Sequence, residues 1–173
     1  MIQKTFLSPH FTLQELCASR TAEKLGIVNV PSELEVENLR RLCEGCLEPL
    51  RVAIGLPVII TSGFRTKALN DKLAHASSTS QHMRGEAADL YVVQGSKFKV
   101  QGSEPSRREL LIKAFREILT NPKIDFDQLI LYPSFIHVSY VSKEKNRRGI
   151  LKAQGNGKLG YGRLTLANAL LIQ

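Results

Sequence analysis

The segment from Ser80 to Leu90, "SQHMRGEAADL", contains a histidine and an aspartate seven positions apart. Imidazole nitrogens and carboxylate oxygens are common ligands of zinc and other divalent metals. An extended chain of seven residues spans up to about 23 Å, so His82 and Asp89 can converge only if the chain turns between them. Gly85 permits such a turn, and the two alanines that follow leave space around it. The segment therefore predicts a pair of metal ligands.

A third candidate ligand, His137, lies in the downstream segment "FIHVSY". This segment reads as a strand in which Ile136 and Val138 point to the opposite face. A polar ring among apolar neighbours needs a partner if it is buried. If this strand pairs beside "GEAADLYV", His137 and Asp89 can face the same pocket. Two imidazoles and one carboxylate suit zinc, and a fourth position open to water distinguishes a catalytic site from a structural one.

The remaining histidines and the cysteines carry weaker signals. His10 and His75 are predicted to be surface or structural residues. The cysteines are Cys17, Cys43 and Cys46, and an odd, low number argues against a disulfide framework. "CEGC" has the spacing of a metal-binding knuckle, but it lies in a helical pattern with no second ligand pair nearby. We interpret these cysteines as core or boundary residues.

The elements that must position these residues follow from local patterns. A long helix is predicted from Ser32, with Glu35 completing a capping box, to a stop at Gly55 and Pro57. "PVIITS" and "GEAADLYVV" are predicted strands, and alternation in the second places Gly85, Ala87 and Asp89 on one face.

The second half of the chain is predicted in the same way. Ser106 and Glu109 cap a second amphipathic helix, and "DFDQLILYPSFIHVSYV" forms a hairpin around Pro133 and Ser134. "QGSKFKVQGSEP" is a surface excursion, and "RLTLANALLIQ" is a closing helix or strand. We expect a single domain over residues 1–173, with a core at about 8–142 and a basic extension at 143–173.

Composition narrows the class of protein. The chain has 173 residues, of which 43% are hydrophobic and 23% charged, values typical of a globular domain. No apolar run approaches the roughly 20 residues of a membrane span. The first residues lack the apolar core of a secretory signal, so we expect cytoplasmic synthesis followed by release. The net charge of +8 favours polyanions, including an anionic cell wall. No nucleic-acid motif supports specific nucleic-acid binding, and a monomer is expected.

"SQHMRGEAADL", with "TSGFRT" upstream and "FIHVSY" downstream, resembles the zinc D-alanyl-D-alanine carboxypeptidase family. That family shares its fold with the hedgehog signalling domain and includes phage endolysins. The likeness extends over "HFTLQEL", "GIVNVP", "LEPLR", "ITSGFRTKALN" and "FDQLI", and it fades after Tyr140. It implies an α+β fold, with a small antiparallel sheet and flanking helices. It also implies zinc-dependent hydrolysis of a peptide bond in peptidoglycan peptides.

The resemblance further implies which residues act. The zinc ligands would be His82, Asp89 and His137, and Arg65 in "SGFR" would bind and polarise the substrate carbonyl. Physical chemistry agrees with this role, because a guanidinium stays charged and offers fork-like donors to an oxyanion or carboxylate. Ser80, Tyr132 and Ser139 are further candidates for substrate binding. Gln128 either faces the cleft or braces the loop.

The general base is less clearly indicated. Many family members have an acidic residue three positions before the last zinc histidine, and Ser134 occupies that position here. Asp127, Glu86 and Tyr132 are the possible substitutes, and we predict Asp127. Strand alternation places Asp127 and His137 on opposite faces, so a bulge would be required. A base supplied otherwise, or none, is the alternative, and without a base the chain would be a non-catalytic zinc-containing wall-binding module.

Overall fold

The computed structural model describes residues 4–74, 76–95, 105–153 and 161–172. His75, predicted to be a surface or structural residue, and most of the predicted surface segment "QGSKFKVQGSEP" lie outside the described residues. None of the helices in the described part of the chain combines the length and apolarity required to cross a bilayer.

The N-terminal region is a turn followed by a short helix, and two short strands flank the turn. These are β1 (Phe6–Ser8) and β2 (Phe11–Thr12), which pair antiparallel. They lead into α1 (Leu13–Cys17) and then α2 (Arg20–Leu25). Strands of two or three residues are too short to show an alternating pattern, so the sequence did not reveal them.

The long helix begins where its capping box predicts and contains an irregular turn. It comprises α3 (Glu33–Leu42), a π-helical turn (Cys43–Leu47) and α4 (Glu48–Ile54). Ser32 and Glu35 form the reciprocal capping hydrogen bonds. Pro49, four residues after Gly45, has no N–H to donate, and the carbonyl of Gly45 accepts a hydrogen bond from the backbone of Asp125 at 3.1 Å. A tertiary partner therefore stabilises the irregularity, and such partners are not visible in helical periodicity.

The cysteines of "CEGC" are core residues, as predicted. Cys43 and Cys46 are fully buried on the π turn. Burial raises the pKa of both thiols well above the ordinary value. Protonated, buried thiols are poor metal ligands.

A six-stranded sheet forms the centre of the molecule, in the order β3-β4-β6-β5-β7-β8. Its strands are β3 (Val58–Ser62), β4 (Ala87–Val92), β5 (Gln128–Leu131), β6 (Ile136–Ser139), β7 (Gly149–Ala153) and β8 (Tyr161–Arg163). The α+β class is confirmed. Every pairing is antiparallel except β5 with β7, which is parallel. The chain after β6 crosses back to the free edge of β5, so β7 runs in the direction of β5.

Four further helical elements complete the described chain, three of them before β5. These three are α5 (Lys67–Asn70), a 3₁₀ turn (Gln81–Arg84) and α6 (Arg107–Thr120), whose Ser106–Glu109 capping box is present as predicted. The C-terminal stretch forms α7 (Leu166–Leu170), which settles the choice between helix and strand. Arg116 of α6 donates to the carbonyls of Leu170 and Ile172. The segment predicted as a basic extension therefore contributes strands to the sheet and a helix that packs on α6.

The two faces of the sheet have different surroundings. One face packs against the helices and is apolar, with Leu90, Leu129 and Val138 completely buried. Strand alternation turns Asp89, Ile130 and His137, one residue before or after each of these, to the other face. Burial of the apolar set fixes the register of the sheet. It thereby fixes which polar side chains face outward together.

Gly85 connects the 3₁₀ turn to β4 and has a positive φ of 69°. A Cβ at this position would lie 2.4 Å from the carbonyl oxygen of Glu35 in α3. Gly85→Ala is expected to lower the free energy of unfolding by about 2–5 kcal/mol, from left-handed strain plus a backbone clash. Gly26 provides the control, because its φ is 63° and a Cβ there would meet nothing within 4 Å. Urea unfolding of Gly26→Ala should show the strain alone, about 1–2 kcal/mol. Equal losses of unfolding free energy in Gly85→Ala and Gly26→Ala would contradict a backbone clash at Gly85.

Candidate metal centre and active-site cleft

Sheet register brings the downstream histidine to the aspartate. Asp89 in β4 is the direct cross-strand neighbour of His137 in β6. His137 in turn faces Ile130 in β5, and Ile130 faces Leu151 in β7. Directly opposite residues in neighbouring strands have Cβ atoms about 5 Å apart, so these four side chains form a row across one face. The strand with "FIHVSY" therefore pairs beside "GEAADLYV", which is the condition under which His137 and Asp89 can share a pocket.

His82 reaches the same point from the 3₁₀ turn. Gly85 adopts the left-handed conformation and donates a backbone hydrogen bond to the carbonyl of His82 at 3.3 Å. This turn reverses the chain before β4 begins. The turn that the sequence predicts at Gly85 therefore returns the two ligands of "SQHMRGEAADL" to each other.

The three side chains meet in a compact cluster. Oδ1 of Asp89 lies 2.8 Å from Nδ1 of His137 and 3.3 Å from Nε2 of His82. Nε2 of His82 and Nδ1 of His137 are 3.2 Å apart. His82 is 3% exposed, and the other two side chains are about one-eighth exposed. One atom from each residue lies within 4.8 Å of the others, a separation that a single metal ion can bridge.

The protonation states of this cluster suit a divalent metal. Nδ1 of His82 lies 2.7 Å from the carbonyl oxygen of Gly63 and must donate to it, which leaves the lone pair of Nε2 facing the cluster. Burial lowers the pKa of His82, which favours the neutral ring. Burial opposes ionisation of Asp89, but His82 and His137 hold the pKa of its carboxyl well below the usual range. A neutral imidazole and an ionised carboxylate are the forms that bind metals.

Gly63 is a supporting residue that the sequence analysis did not identify. A Cβ at Gly63 would lie 2.2 Å from the carbonyl oxygen of Leu16, so only glycine fits. The next residue, Phe64, donates its backbone N–H to the same carbonyl at 2.7 Å. This contact fixes the end of β3 against α1 and aims the Gly63 carbonyl at His82. In the sequence, the glycine of "SGFR" is the feature that could have indicated this role.

Arg65 lies beside the cluster of His82, Asp89 and His137. Its Nη2 donates to Oδ2 of Asp89 at 2.9 Å, and its Nε donates to Oγ of Ser62 at 2.9 Å. Its backbone N–H donates to the carbonyl of His82 at 3.1 Å. Burial lowers the pKa of Arg65 while the Asp89 carboxylate raises it, and a guanidinium remains charged at neutral pH. Arg65 thus orients Asp89 and directs Oδ1 towards the histidines.

The cluster opens into a cleft of about 720 Å³. The cleft is lined by Arg65, Leu73, Ala74, Ala76, Ser77, Thr79, Ser80, Gln81, His82, Arg84, Asp89, Gln128, Ile130, Tyr132, Phe135, His137, Arg147 and Leu151. Tyr132 and Phe135 stack with ring centroids 4.2 Å apart. Ser80, Tyr132 and Gln128 therefore lie where substrate-binding residues are expected.

Ser139, the third candidate for substrate binding, does not line this cleft. Its side chain is completely buried, and its Oγ accepts the backbone N–H of Gln128 at 3.1 Å. Ser139 lies two residues after His137 and so on the same face of the sheet, but it is buried. In this arrangement it stabilises the start of β5.

Asp127, the predicted base, lies behind the cleft wall. Its carboxylate is 1% exposed. Oδ1 accepts from Nε of Arg147 at 2.8 Å and from the Arg147 backbone N–H at 2.9 Å. Oδ2 accepts from Nη2 of Arg147 and from Nε2 of Gln81. Both oxygens are therefore engaged, so the assignment as base stays a prediction that this geometry does not favour.

Of the other two possible substitutes, Glu86 pairs with Arg84 at 2.8 Å, whereas Tyr132 lines the cleft. Ser134, at the position of the missing acid, is exposed in the hairpin loop. Among the described residues that line the cleft, Asp89 is the only acidic one. A carboxylate base therefore requires a rearrangement of Asp127 or a group outside these residues.

The Asp127 ion pair predicts an acid-dependent loss of stability. Burial would raise the pKa of Asp127, but hydrogen bonds from Arg147 and Gln81 hold it below the ordinary value. A depressed pKa stabilises the fold above the unfolded value of about 3.9, and this stabilisation is lost as the pH falls through the folded value. We expect Asp127→Asn to cost about 1–3 kcal/mol at pH 7. Denaturant unfolding should show this difference shrinking below about pH 4, and a constant difference would contradict the ion pair.

A second residue that sequence analysis missed is Arg147. It lies in "KEKNRRGILK", within the predicted basic extension, and no signal separates it from the neighbouring cations. The parallel strand β7, which begins two residues later, brings Arg147 to Asp127 and to the cleft. Only the sheet topology reveals this contact.

Comparisons with known proteins agree with this geometry. The comparison with individual curated proteins found no match. A model of the family described as Peptidase M15 matches residues 9–116, which is more than half of the 173 residues. The matched range includes Arg65, His82 and Asp89, while His137 follows it. Peptidases of this family depend on zinc, and the His-Asp-His cluster is compatible with that metal. The chain belongs to the Peptidase M15 family.

Proposed function

We propose that the protein is a zinc metallopeptidase that hydrolyses a peptide bond in bacterial cell-wall peptides, as a D-Ala-D-Ala carboxypeptidase or an endopeptidase. The convergence of His82, Asp89 and His137 at the wall of an open cleft, with Arg65 beside them, carries this proposal. One chain supplies all three ligands, so the site requires no second subunit. The net charge of +8 favours retention on an anionic wall.

The residues of the chain have distinct tasks in this proposal. His82, Asp89 and His137 would hold the zinc, which when bound lowers the pKa of a water towards about 7 and polarises a carbonyl. Gly63 fixes the ring of His82, and Arg65 fixes the carboxylate of Asp89. The guanidinium of Arg65 also stabilises negative charge that develops on the substrate carbonyl oxygen.

Proton transfer requires an acceptor about 2.6–3.2 Å from the attacking water. Asp127 can serve only if Arg147 and Gln81 release its carboxylate, since both oxygens are bonded to them. The base assignment to Asp127 thus carries a structural requirement. It is tested together with the Arg147 variants described below.

The cleft suits a peptide with anionic groups. Three arginines line it, namely Arg65, Arg84 and Arg147, whereas Asp89 is the one acidic residue among the described lining residues. The stacked rings of Tyr132 and Phe135 provide an apolar surface next to these cations. D-Ala-D-Ala and L-Ala-D-Glu bonds both belong to peptides of this character.

The decisive experiment is hydrolysis by the zinc-loaded full chain. Purified peptidoglycan and synthetic stem peptides are incubated with protein, and the products are identified by mass spectrometry. We expect cleavage at one bond, abolished by a chelator and restored by zinc. Peptides that contain only a D-Ala-D-Ala or only an L-Ala-D-Glu bond then distinguish carboxypeptidase from endopeptidase action. Undiminished cleavage in the presence of chelator would contradict the zinc mechanism.

The alternative function is a zinc-containing wall-binding module. It is favoured by Ser134 at the expected acidic position and by the engaged carboxylate of Asp127. This alternative predicts zinc-dependent co-sedimentation with purified wall and no new products by mass spectrometry.

A further inference from the structure

Arg147 forms an ion pair of unequal burial at the cleft. Its side chain is 65% exposed and lines the cleft, whereas the Asp127 carboxylate behind it is 1% exposed. Nε and Nη2 of Arg147 bond to the two different oxygens of Asp127, and the Arg147 backbone N–H adds a third bond. Gln81 supplies a fourth bond, to Oδ2 at 3.0 Å. The carboxylate therefore fixes both the position and the plane of the guanidinium.

The remaining face of this guanidinium is available to a ligand. Nη1 of Arg147 makes no hydrogen bond with the described part of the chain, while Nε and Nη2 face Asp127. An arginine on the surface normally loses side-chain freedom when it binds an anion. Here Asp127 has already restricted that freedom, so binding a carboxylate costs less entropy.

The fold places this guanidinium on the far side of the His82–Asp89–His137 cluster from Arg65. Arg65 follows β3, and Arg147 precedes β7, with the ligand strands β4 and β6 between them in the sheet. β6 and β7 are separated by β5, which corresponds to about 10 Å at the usual strand spacing. An extended peptide covers that distance in about three residues. Arg147 would thus meet a group several atoms away from the scissile bond.

We propose that Arg147 is a specificity-determining residue that binds a carboxylate of the substrate peptide, and that Asp127 is its positioning residue. This inference rests on the proposed function, because it names the substrate group that the same cleft selects. The carboxylate is either a chain terminus or an acidic side chain. Both sources have the same chemistry and are separated by the probes below.

The experiment measures peptide binding and turnover with the zinc-loaded full chain. The probes are a stem peptide with all carboxylates free, the same peptide with an amidated C-terminus, and the same peptide with its acidic residue amidated. The proteins are wild type, Arg147→Gln, Arg147→Lys and the control Arg148→Gln. Arg148 pairs with Asp125 and lies over Phe126, away from the lining of the cleft. Binding is followed by calorimetry, and zinc content is measured in each protein.

We expect Arg147→Gln to weaken binding of the free peptide by about tenfold to a hundredfold, the range for a charge-assisted hydrogen bond. The zinc content of Arg147→Gln and the peptide affinity of Arg148→Gln should both match those of wild type. Amidating the recognised carboxylate should weaken wild-type binding by a similar factor and leave Arg147→Gln unchanged. Arg147→Lys should fall between the two, because lysine keeps the charge but loses the fork.

Asp127→Asn separates positioning from base catalysis. If Asp127 is a positioning residue, Asp127→Asn should raise KM for the free peptide by a larger factor than it lowers kcat. The acid limb of the pH–rate profile should persist in this variant. Loss of that limb with KM unchanged would make Asp127 the base and overturn its positioning role.

Other outcomes are equally decisive. Wild-type protein that binds all three probes equally would overturn the inference, even if Arg147→Gln failed to fold. Carboxylate-dependent binding through Arg147 without hydrolysis would retain the inference and reject the peptidase function. Hydrolysis without any dependence on Arg147 would reject the inference and retain the peptidase function. Absence of both carboxylate-dependent binding and hydrolysis would reject both.

Discussion

Replacing His82 or Asp89 by alanine is expected to remove both zinc and peptide hydrolysis. Each residue supplies one of three donor atoms that lie within 4.8 Å of one another. Loss of one leaves two protein ligands, fewer than the three that catalytic zinc sites normally have. In Asp89→Ala, the guanidinium of Arg65 also loses its carboxylate partner at 2.9 Å. A partly buried cation would then stand beside the remaining histidines and oppose a divalent metal.

The measurement is zinc content by elemental analysis after dialysis, paired with turnover of the cleaved peptide. We expect stoichiometric zinc in wild type and almost none in either variant. His10→Ala is the matched control, because His10 is about half exposed and pairs with Glu48 rather than with the cluster. It should keep both zinc and activity. Full zinc occupancy in His82→Ala or Asp89→Ala would remove that residue from the ligand set.

Arg65→Ala is expected to reduce kcat by about 100- to 1000-fold, the loss typical of removing one donor to a developing oxyanion. Arg65 also holds Asp89, so the variant should bind zinc about 10- to 100-fold more weakly, as is typical when a partner of a metal ligand is lost. Turnover must therefore be measured with saturating zinc, which isolates the effect on the substrate carbonyl. Arg65→Lys should recover only part of kcat, because lysine cannot donate to Ser62 and Asp89 in one plane.

Arg20→Ala is the control for loss of a positive charge, since Arg20 is exposed on α2. It should leave kcat and zinc affinity at wild-type values. An Arg65→Ala protein with unchanged kcat at saturating zinc would confine Arg65 to the support of Asp89. If Arg65→Ala lowers only the zinc affinity, Arg65 likewise serves only to support Asp89.

Local features of the fold were predictable because they depend on neighbours in the chain. Ser32 with Glu35, and Ser106 with Glu109, form the capping boxes that their spacing indicates. The hairpin around Pro133 and Ser134 is present, and the "CEGC" cysteines are buried as expected. Hydrogen bonds between residues three apart and side-chain periodicity act within one element. The sequence therefore contains the whole of their cause.

Features that depend on packing between distant segments were not predictable in this way. The π turn at Cys43–Leu47 has a partner in Asp125, about 80 residues away. Ser139 shares a face with His137, but its burial and its hydrogen bond with the backbone of Gln128 depend on how the strands assemble. Periodicity assigns a side chain to a face of the sheet. It does not say what covers that face.

The candidate site shows the same division. The types of the ligands, the turn at Gly85 and the resemblance to the family were available from residues 61–66, 80–90 and 135–140. The pairing of Asp89 with His137, the carbonyl of Gly63 on His82 and the ion pair of Asp127 with Arg147 arise from tertiary structure. The parallel strand β7 brings Arg147 to a carboxylate 20 positions earlier. Sequence alone determined which chemical groups this protein has, and packing of the sheet decided which of them meet, because register is set by burial of the opposite face.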